Sequence, residues 1–146
     1  MPVTIRPAVE TDQATIRHLI KDANLNRMSL YWPNFLVAED GAEIVGIGQV
    51  KEHRDGSREL ASIAVVPARQ GQGIADEVIE ALLAREPGVL YLTCRSELEN
   101  FYGRFGFTRI APAEYPPYFR RIMALANLLM RVFGRQILVM RREASV

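Results

Sequence analysis

The chain has 146 residues, a length that fits one domain with one substantial core. Eighteen Lys and Arg against seventeen Asp and Glu leave a net charge of +1, which does not favour binding of nucleic acid through overall charge. No segment approaches the roughly 20 apolar residues that span a bilayer. A lone Cys94 and two histidines are too few for a disulfide or a structural zinc cluster. We therefore expect one cytoplasmic domain over residues 1–146, with no metal, no membrane span and no nucleic-acid partner.

The first half of the chain predicts a strand, a helix and then an antiparallel meander. Residues 3–6 alternate as a short strand, and apolar residues at helical spacing predict an amphipathic helix from about 11 to 24. A second short helix is expected near Trp32. The turn dipeptides Asp40-Gly41 and Asp55-Gly56 separate the strands of the meander. These strands are expected at 35–39, 43–50 and 58–66.

The second half predicts a crossover unit and a long insertion before the last strand. A helix that starts at residue 74 and ends before Pro87-Gly88 follows the meander, and 89–94 then forms a buried strand that should run parallel to the preceding one. The remaining expected elements are a helix at 97–105, a strand at 107–110, an inserted helical segment at about 116–134 and a strand at 136–141. The predicted fold class is α/β, with a mixed, mostly antiparallel central sheet and helices on both faces.

A glycine-rich turn joins the third strand of the meander to the helix that follows. A strand that ends in such a turn aims backbone N–H groups and the positive end of the helix dipole at one point, which favours phosphate oxygens. The spacing fits neither a nucleotide triphosphate loop nor a Rossmann turn. However, glycines by themselves are also typical of an ordinary connection between a strand and a helix. The residues of the turn are Gln70, Gly71, Gln72, Gly73, Ile74 and Ala75.

The turn resembles the acyl-CoA signature of the GCN5-related N-acetyltransferase (GNAT) family, Gln/Arg-x-x-Gly-x-Gly/Ala. Residues 101–107 also resemble that family's Tyr-x-x-x-Gly-Phe segment. The resemblance implies the acyl-CoA N-acyltransferase fold and direct transfer of acetyl from acetyl-CoA to a primary amine of a small molecule or peptide. It also implies that acetyl-CoA contacts the turn and the backbone of the strand before it. These strand residues would be Ile63, Ala64 and Val65.

The resemblance also assigns Tyr102 as the proton donor to the departing thiolate. Ordinary pKa values of about 10 for a phenol and 8.5 for a thiol make full proton transfer uphill by about 1.5 units, so hydrogen bonding is an alternative contribution. A core aromatic residue beside Phe101 and Phe105 is the competing interpretation.

An amine acceptor arrives as ammonium, so a base must remove a proton before attack. Glu59 is the preferred candidate, because strand alternation places it on the same face as Ile63 and Val65. Glu52, His53 and a water molecule are alternatives, and Glu59 also fits a solvated charge at a strand end.

Two functional alternatives and one partner prediction accompany this hypothesis. Residues 59–65 and 92–95 resemble amino-acid Nα-acetyltransferase domains of arginine biosynthesis. A non-catalytic acyl-CoA-binding regulatory module would share the same turn. The apolar insertion at 116–134 is predicted to form a homodimer interface; capping the acceptor site or contacting another partner are its alternatives.

Overall fold

The computed structural model describes residues 2–133 and 136–145. The chain divides into two compact units. The first comprises Met1–Lys51 and Leu60–Glu86, and the second comprises Glu52–Glu59 and Pro87–Val146. None of the helices within the described residues is long and apolar enough to cross a membrane. The single domain expected over 1–146 stays a prediction.

The first unit contains the predicted meander and two helices. The elements are β1 (Thr4–Pro7), α1 (Gln13–Asp22), β2 (Phe35–Asp40), β3 (Glu43–Glu52), β4 (Arg58–Val65) and α2 (Ile74–Arg85). The strands hydrogen-bond in the order β1-β2-β3-β4, and β1–β2 and β2–β3 are antiparallel pairs. The third strand ends at Glu52 and the fourth starts at Arg58, so the Asp55-Gly56 turn lies between them as expected.

Helices cover both faces of this part of the sheet. Val37 pairs with Ile47, and both pack into a buried cluster with Ile16 and other residues of α1. The alternate residues of the same strands face α2: a Cβ at Gly46 would lie 2.8 Å from Ile74 Cγ2. A residue without a side chain at this position therefore lets α2 approach β3 closely. The prediction of helices on both faces is confirmed in this unit.

The second unit combines parallel and antiparallel strand pairing. Its elements are β5 (Leu90–Arg95), α3 (Glu99–Gly103), β6 (Thr108–Arg109), α4 (Pro117–Phe133) and β7 (Ile137–Arg142). Glu59, at the start of β4, pairs in parallel with Tyr91, and the strand order continues β5-β7-β6 with antiparallel neighbours. The predicted crossover and the mixed, mostly antiparallel sheet are therefore confirmed.

Three predicted helices differ from the observed ones. The segment near Trp32 is only a three-residue 3-10 turn, and the helix expected at 97–105 is a 3-10 turn, Ser96–Leu98, followed by the short α3. In α4 the buried residues are Phe119 and Met123, packed against β7, whereas Leu125 from the expected apolar side is 61% exposed. The side chains of residues 129–133 and the predicted end of the insertion at Gly134 lie outside the described residues.

Candidate active site

The glycine turn of the first unit has the geometry of an anion-binding helix N-terminus. Gly71 and Gly73 have φ values of +80° and +82°, in the left-handed region that favours glycine, and Gly73 is the N-cap of α2. The first amides of a helix have no intrahelical acceptor, and the helix dipole is positive there. A Cβ at either glycine would meet no described protein atom within 4 Å. The exposed side of the turn is therefore open to a ligand.

Two side chains hold this turn in place. Gln70 Nε2 donates to the carbonyl oxygen of Val65 over 3.1 Å, which ties the turn back to the end of β4. Arg69 donates from Nε to Gln72 Oε1 over 2.9 Å and pairs with Asp40 over 2.7 Å. Sequence reasoning did not single out Arg69, although its position immediately before the predicted signature is a recognisable signal for an anion site.

The strand before the turn is distorted at Ser62, which has a φ of +60°. A non-glycine residue in this region is uncommon and carries conformational strain. Gln49 Nε2 donates to Ser62 Oγ over 2.8 Å and so supports the distortion. The residues predicted to contact acetyl-CoA, Ile63, Ala64 and Val65, follow directly. Because β4 is not regularly extended at Ser62, strict alternation no longer determines whether Glu59 shares a face with Ile63.

Glu59 is buried and belongs to a cluster in the second unit. Its Oε1 lies 2.8 Å from His53 Nε2, and only 9% of the Glu59 side chain and 12% of the His53 side chain are exposed. The imidazole stacks on Tyr118, with ring centroids 3.4 Å apart, and meets Phe119 edge-on at 5.9 Å. The preferred base and one of its alternatives therefore form one hydrogen-bonded pair. Glu52, another alternative, has a 64% exposed side chain that pairs with Arg58 over 3.3 Å.

Asp55, in the turn between β3 and β4, is hydrogen-bonded to the first turn of α4. Its Oδ2 accepts the backbone N–H of Tyr118 over 2.9 Å, and its Oδ1 accepts the amide and hydroxyl of Ser57. Desolvation acts to raise the pKa of Asp55, but the hydrogen bonds from Ser57 and Tyr118 and the charge of His53 outweigh it and lower the pKa to about 2. A carboxylate thus holds the helix that carries Tyr118, the stacking partner of His53.

Tyr102 is half-buried on α3, edge-on to Phe101 at 5.0 Å and to Phe107 at 6.3 Å. Burial, with a smaller contribution from Cys94, raises the pKa of Tyr102 to about 12. The phenol is therefore protonated at neutral pH. Burial and the nearby Glu99 and Glu97 raise the pKa of the Cys94 thiol to about 11, so Cys94 is a poor nucleophile.

The structure thus brings Glu59 and His53 together in the second unit and places residues 63–65 and the turn at 70–75 in the first. Sequence reasoning missed Tyr118 and Asp55 as neighbours of the Glu59–His53 pair. It also missed Gln49 and Lys51, which are 0% and 6% exposed. The available signal was the presence of two polar residues at alternate positions of a strand whose other residues are largely apolar. The functions of the predicted site residues remain proposals.

Comparison with known proteins shows the family to which the chain belongs. Residues 32–109 match the family described as Acetyltransferase (GNAT) domain, and these residues make up more than half of the 146-residue chain. The chain belongs to this GNAT acetyltransferase family, whose enzymes use acetyl-CoA as co-substrate. The match to a GNAT domain agrees with the family that the two sequence motifs predicted.

Solved structures share the fold at low sequence identity. N-acetylglutamate synthase from Neisseria gonorrhoeae, complexed with coenzyme A and N-acetyl-glutamate, has a TM-score of 0.78 at 20% identity over 100% of this chain. Rv2747 from Mycobacterium tuberculosis, in complex with CoA and NLQ, has a TM-score of 0.71 at 21% identity, covering 96% of this chain and 98% of its own. Ard1 from Thermoplasma volcanium has a TM-score of 0.70 at 16% identity, covering 100% of this chain and 99% of its own.

These likenesses show the acyl-CoA N-acyltransferase fold, which confirms the predicted fold class. The chain spans only 36% and 33% of the length of two N-acetylglutamate synthase structures. No curated protein matches the chain in sequence.

Proposed function

We propose that this protein transfers the acetyl group of acetyl-CoA directly to a primary amine of a small molecule or peptide. The observation that carries the proposal is the glycine turn, in which Gly71 and Gly73 adopt left-handed conformations at the N-terminus of α2. This geometry leaves helix amides free to donate to the diphosphate of the cofactor. The family match supports the identity of the donor.

The strand before the turn would hold the reacting thioester. A backbone N–H from residues 63–65 that reaches the thioester oxygen would stabilise the negative charge of the tetrahedral intermediate. The strained backbone at Ser62 supports this role, because a departure from regular strand geometry frees backbone groups for a ligand. Ile63, Ala64, Val65 and the turn residues 70–75 are the proposed acetyl-CoA contacts.

Glu59 and His53 would together remove the proton from the incoming ammonium. A carboxylate hydrogen-bonded to an imidazole can accept a proton and pass it toward solvent, and the pair is only slightly exposed. The neutral amine then attacks the carbonyl carbon, and the C–S bond breaks as the tetrahedral intermediate collapses. We assign Glu59 the role of base and His53 that of its partner.

Tyr102 would stabilise the departing thiolate mainly by a hydrogen bond. Its pKa of about 12 lies roughly 3.5 units above that of an ordinary thiol, so complete proton transfer from Tyr102 to the thiolate would cost about 5 kcal/mol. The thiolate therefore takes its final proton from solvent or from the proton released by the amine. The high pKa of Cys94 supports direct transfer without an acetyl-cysteine intermediate.

The test is release of free CoA from acetyl-CoA in the presence of a broad panel of amines. Glu59→Gln and Tyr102→Phe should slow this release. Glu52→Gln is the matched control for Glu59→Gln and should keep the wild-type rate, because Glu52 is an exposed carboxylate at the end of β3 that pairs with Arg58. Tight binding of CoA without release for any amine would overturn the proposal in favour of a non-catalytic acyl-CoA-binding module.

Two finer expectations stay predictions beside this proposal. A homodimer through 116–134 draws support from α4, where Leu125 and Leu128 are 61% and 66% exposed. Size-exclusion chromatography with light scattering tests it, and a monomer at high concentration would contradict it. The cytoplasmic location expected from the lone Cys94 also stays a prediction.

A further inference from the structure

Two buried polar side chains in the first unit lack, among the described residues, the partners that their chemistry requires. Gln49 is 0% exposed, and its Oε1 is buried without a hydrogen-bond partner there. Lys51 is 6% exposed, and its Nζ donates to the carbonyl oxygen of Met28 over 3.3 Å. An unpaired acceptor and a buried cation without a counter-ion are both costly.

The orientation of the Gln49 amide is determined by its neighbours. Its Nε2 donates to the carbonyl oxygen of Ser29 over 3.2 Å and to Ser62 Oγ over 2.8 Å. A carbonyl oxygen can only accept, so the nitrogen of the amide must face Ser29. Oε1 is therefore left as an acceptor that needs an N–H or O–H donor from elsewhere.

The ammonium group of Lys51 has more N–H donors than the described residues accept. It carries three N–H donors, of which the carbonyl of Met28 takes one. Within residues 2–133 and 136–145, no Asp or Glu forms a salt bridge with Lys51 at 4.0 Å or less. An ammonium group with two remaining donors, on a residue that is 6% exposed, fits an anionic ligand group.

The two side chains lie on one face of β3, close to the proposed reaction centre. Residues two apart on a strand project to the same side, about 7 Å apart along the strand. This is the face of Ile47, which packs with α1. Gln49 contacts Ser62, the residue immediately before the proposed thioester contacts at 63–65. The neighbouring Met28 is 71% exposed, so the cluster lies near the protein surface.

We propose that Lys51 and Gln49 form the acceptor subsite, in which Lys51 binds a carboxylate and Gln49 Oε1 accepts an N–H of the same molecule. The acceptor is then a carboxylate-bearing amine of amino-acid size. This inference rests on the proposed acetyl transfer and specifies its substrate class. The carboxylate supplies the missing counter-ion, and the amine supplies the missing donor.

The experiment compares each of the common amino acids with its carboxamide as acceptor, for the wild type and Lys51→Met. The wild type should favour the best amino acid over its amide by about 30-fold in kcat/KM, which corresponds to about 2 kcal/mol for one buried charge pair. Lys51→Met should abolish this preference by lowering kcat/KM for the amino acid. Lys21→Met is the matched control, because Lys21 is the other lysine of the chain and is exposed on α1.

Binding separates failure of this inference from failure of the proposed function. Amino acids should raise the Tm of the CoA-bound wild type and of Lys21→Met, but not that of CoA-bound Lys51→Met. If binding follows this pattern and no amine is acetylated, the proposed function fails and the subsite stands. If amines are acetylated with equal preference for acid and amide in all variants, the subsite is overturned and the function stands.

Thermal stability distinguishes a binding role for Lys51 from a purely structural one. If Lys51 binds the acceptor, replacing this unpaired cation by an apolar side chain of similar length should leave the Tm unchanged or raise it. A lower Tm for Lys51→Met, together with equal loss of transfer to acids and amides, would overturn the proposed subsite. CoA affinity, measured by calorimetry, should be the same in all three proteins.

Discussion

Replacement of Gly73 by alanine separates the strain of the turn from its proposed contact with the diphosphate. Gly73 has a φ of +82°, and a Cβ there meets no described protein atom within 4 Å. The alanine should therefore cost only the left-handed strain of about 1 to 2 kcal/mol. For a chain of this size, that loss lowers the Tm by about 3 to 8 °C.

The effect of the same substitution on CoA binding should be larger. The added methyl group projects into the open space in which the diphosphate is proposed to lie, so at least one charge-assisted hydrogen bond is lost. Such a bond contributes about 1.5 to 3 kcal/mol, which corresponds to a decrease in CoA affinity of roughly tenfold to 150-fold. Calorimetric titration with CoA measures this decrease.

Gly41→Ala is the matched control for Gly73→Ala. Gly41 lies in the turn between β2 and β3, has a φ of +63° and also has open space where a Cβ would be added. It should lose a similar amount of stability and keep its CoA affinity. Equal CoA affinity in Gly73→Ala and Gly41→Ala would refute the assignment of this turn to the diphosphate.

Three further predictions concern the second unit. Tyr102→Phe should lower kcat without changing CoA affinity, and wild-type activity should show no alkaline decrease from Tyr102 below about pH 10, because the phenol with a pKa of about 12 stays protonated there. Asp55→Ala should lower stability by about 1 kcal/mol through loss of the hydrogen bond to Tyr118 N–H. Since the folded-state pKa of Asp55 is lowered to about 2, this stabilisation is complete above about pH 4 and is lost as the pH falls toward 2. Unfolding measurements of the wild type and Asp55→Ala at several pH values test this. Cys94→Ala should retain kcat/KM within about twofold, because burial raises the pKa of the thiol to about 11; a large loss would indicate a covalent intermediate.

The sequence predicted the order of elements well because periodicity and turn residues are local signals. The Asp40-Gly41 and Asp55-Gly56 turns, the strand pattern and the helix after Gly73 all appear where they were expected. The buried side of α4 was predicted less well. Its apolar residues surround most of the helix, so only tertiary packing decides that Phe119 is buried and Leu125 exposed.

Contacts between residues distant in the sequence account for the parts of the site that were missed. The glycine turn could be predicted because it is a short continuous segment. The stacking of Tyr118 on His53 joins residues 65 positions apart in the sequence, so no local sequence pattern predicts it. Ser62 has a left-handed φ inside a segment that reads as a regular strand, because the side chain of Gln49, thirteen residues earlier, supports it.

The bond between Asp55 and the amide of Tyr118 has a consequence for the dynamics of the second unit. Opening of the first turn of α4 would break this bond and remove the aromatic ring that covers His53. The exchange rate of the Tyr118 amide hydrogen therefore reports how often the Glu59–His53 pair loses its cover. A ligand that orders α4 would slow this exchange and keep the pair shielded from water.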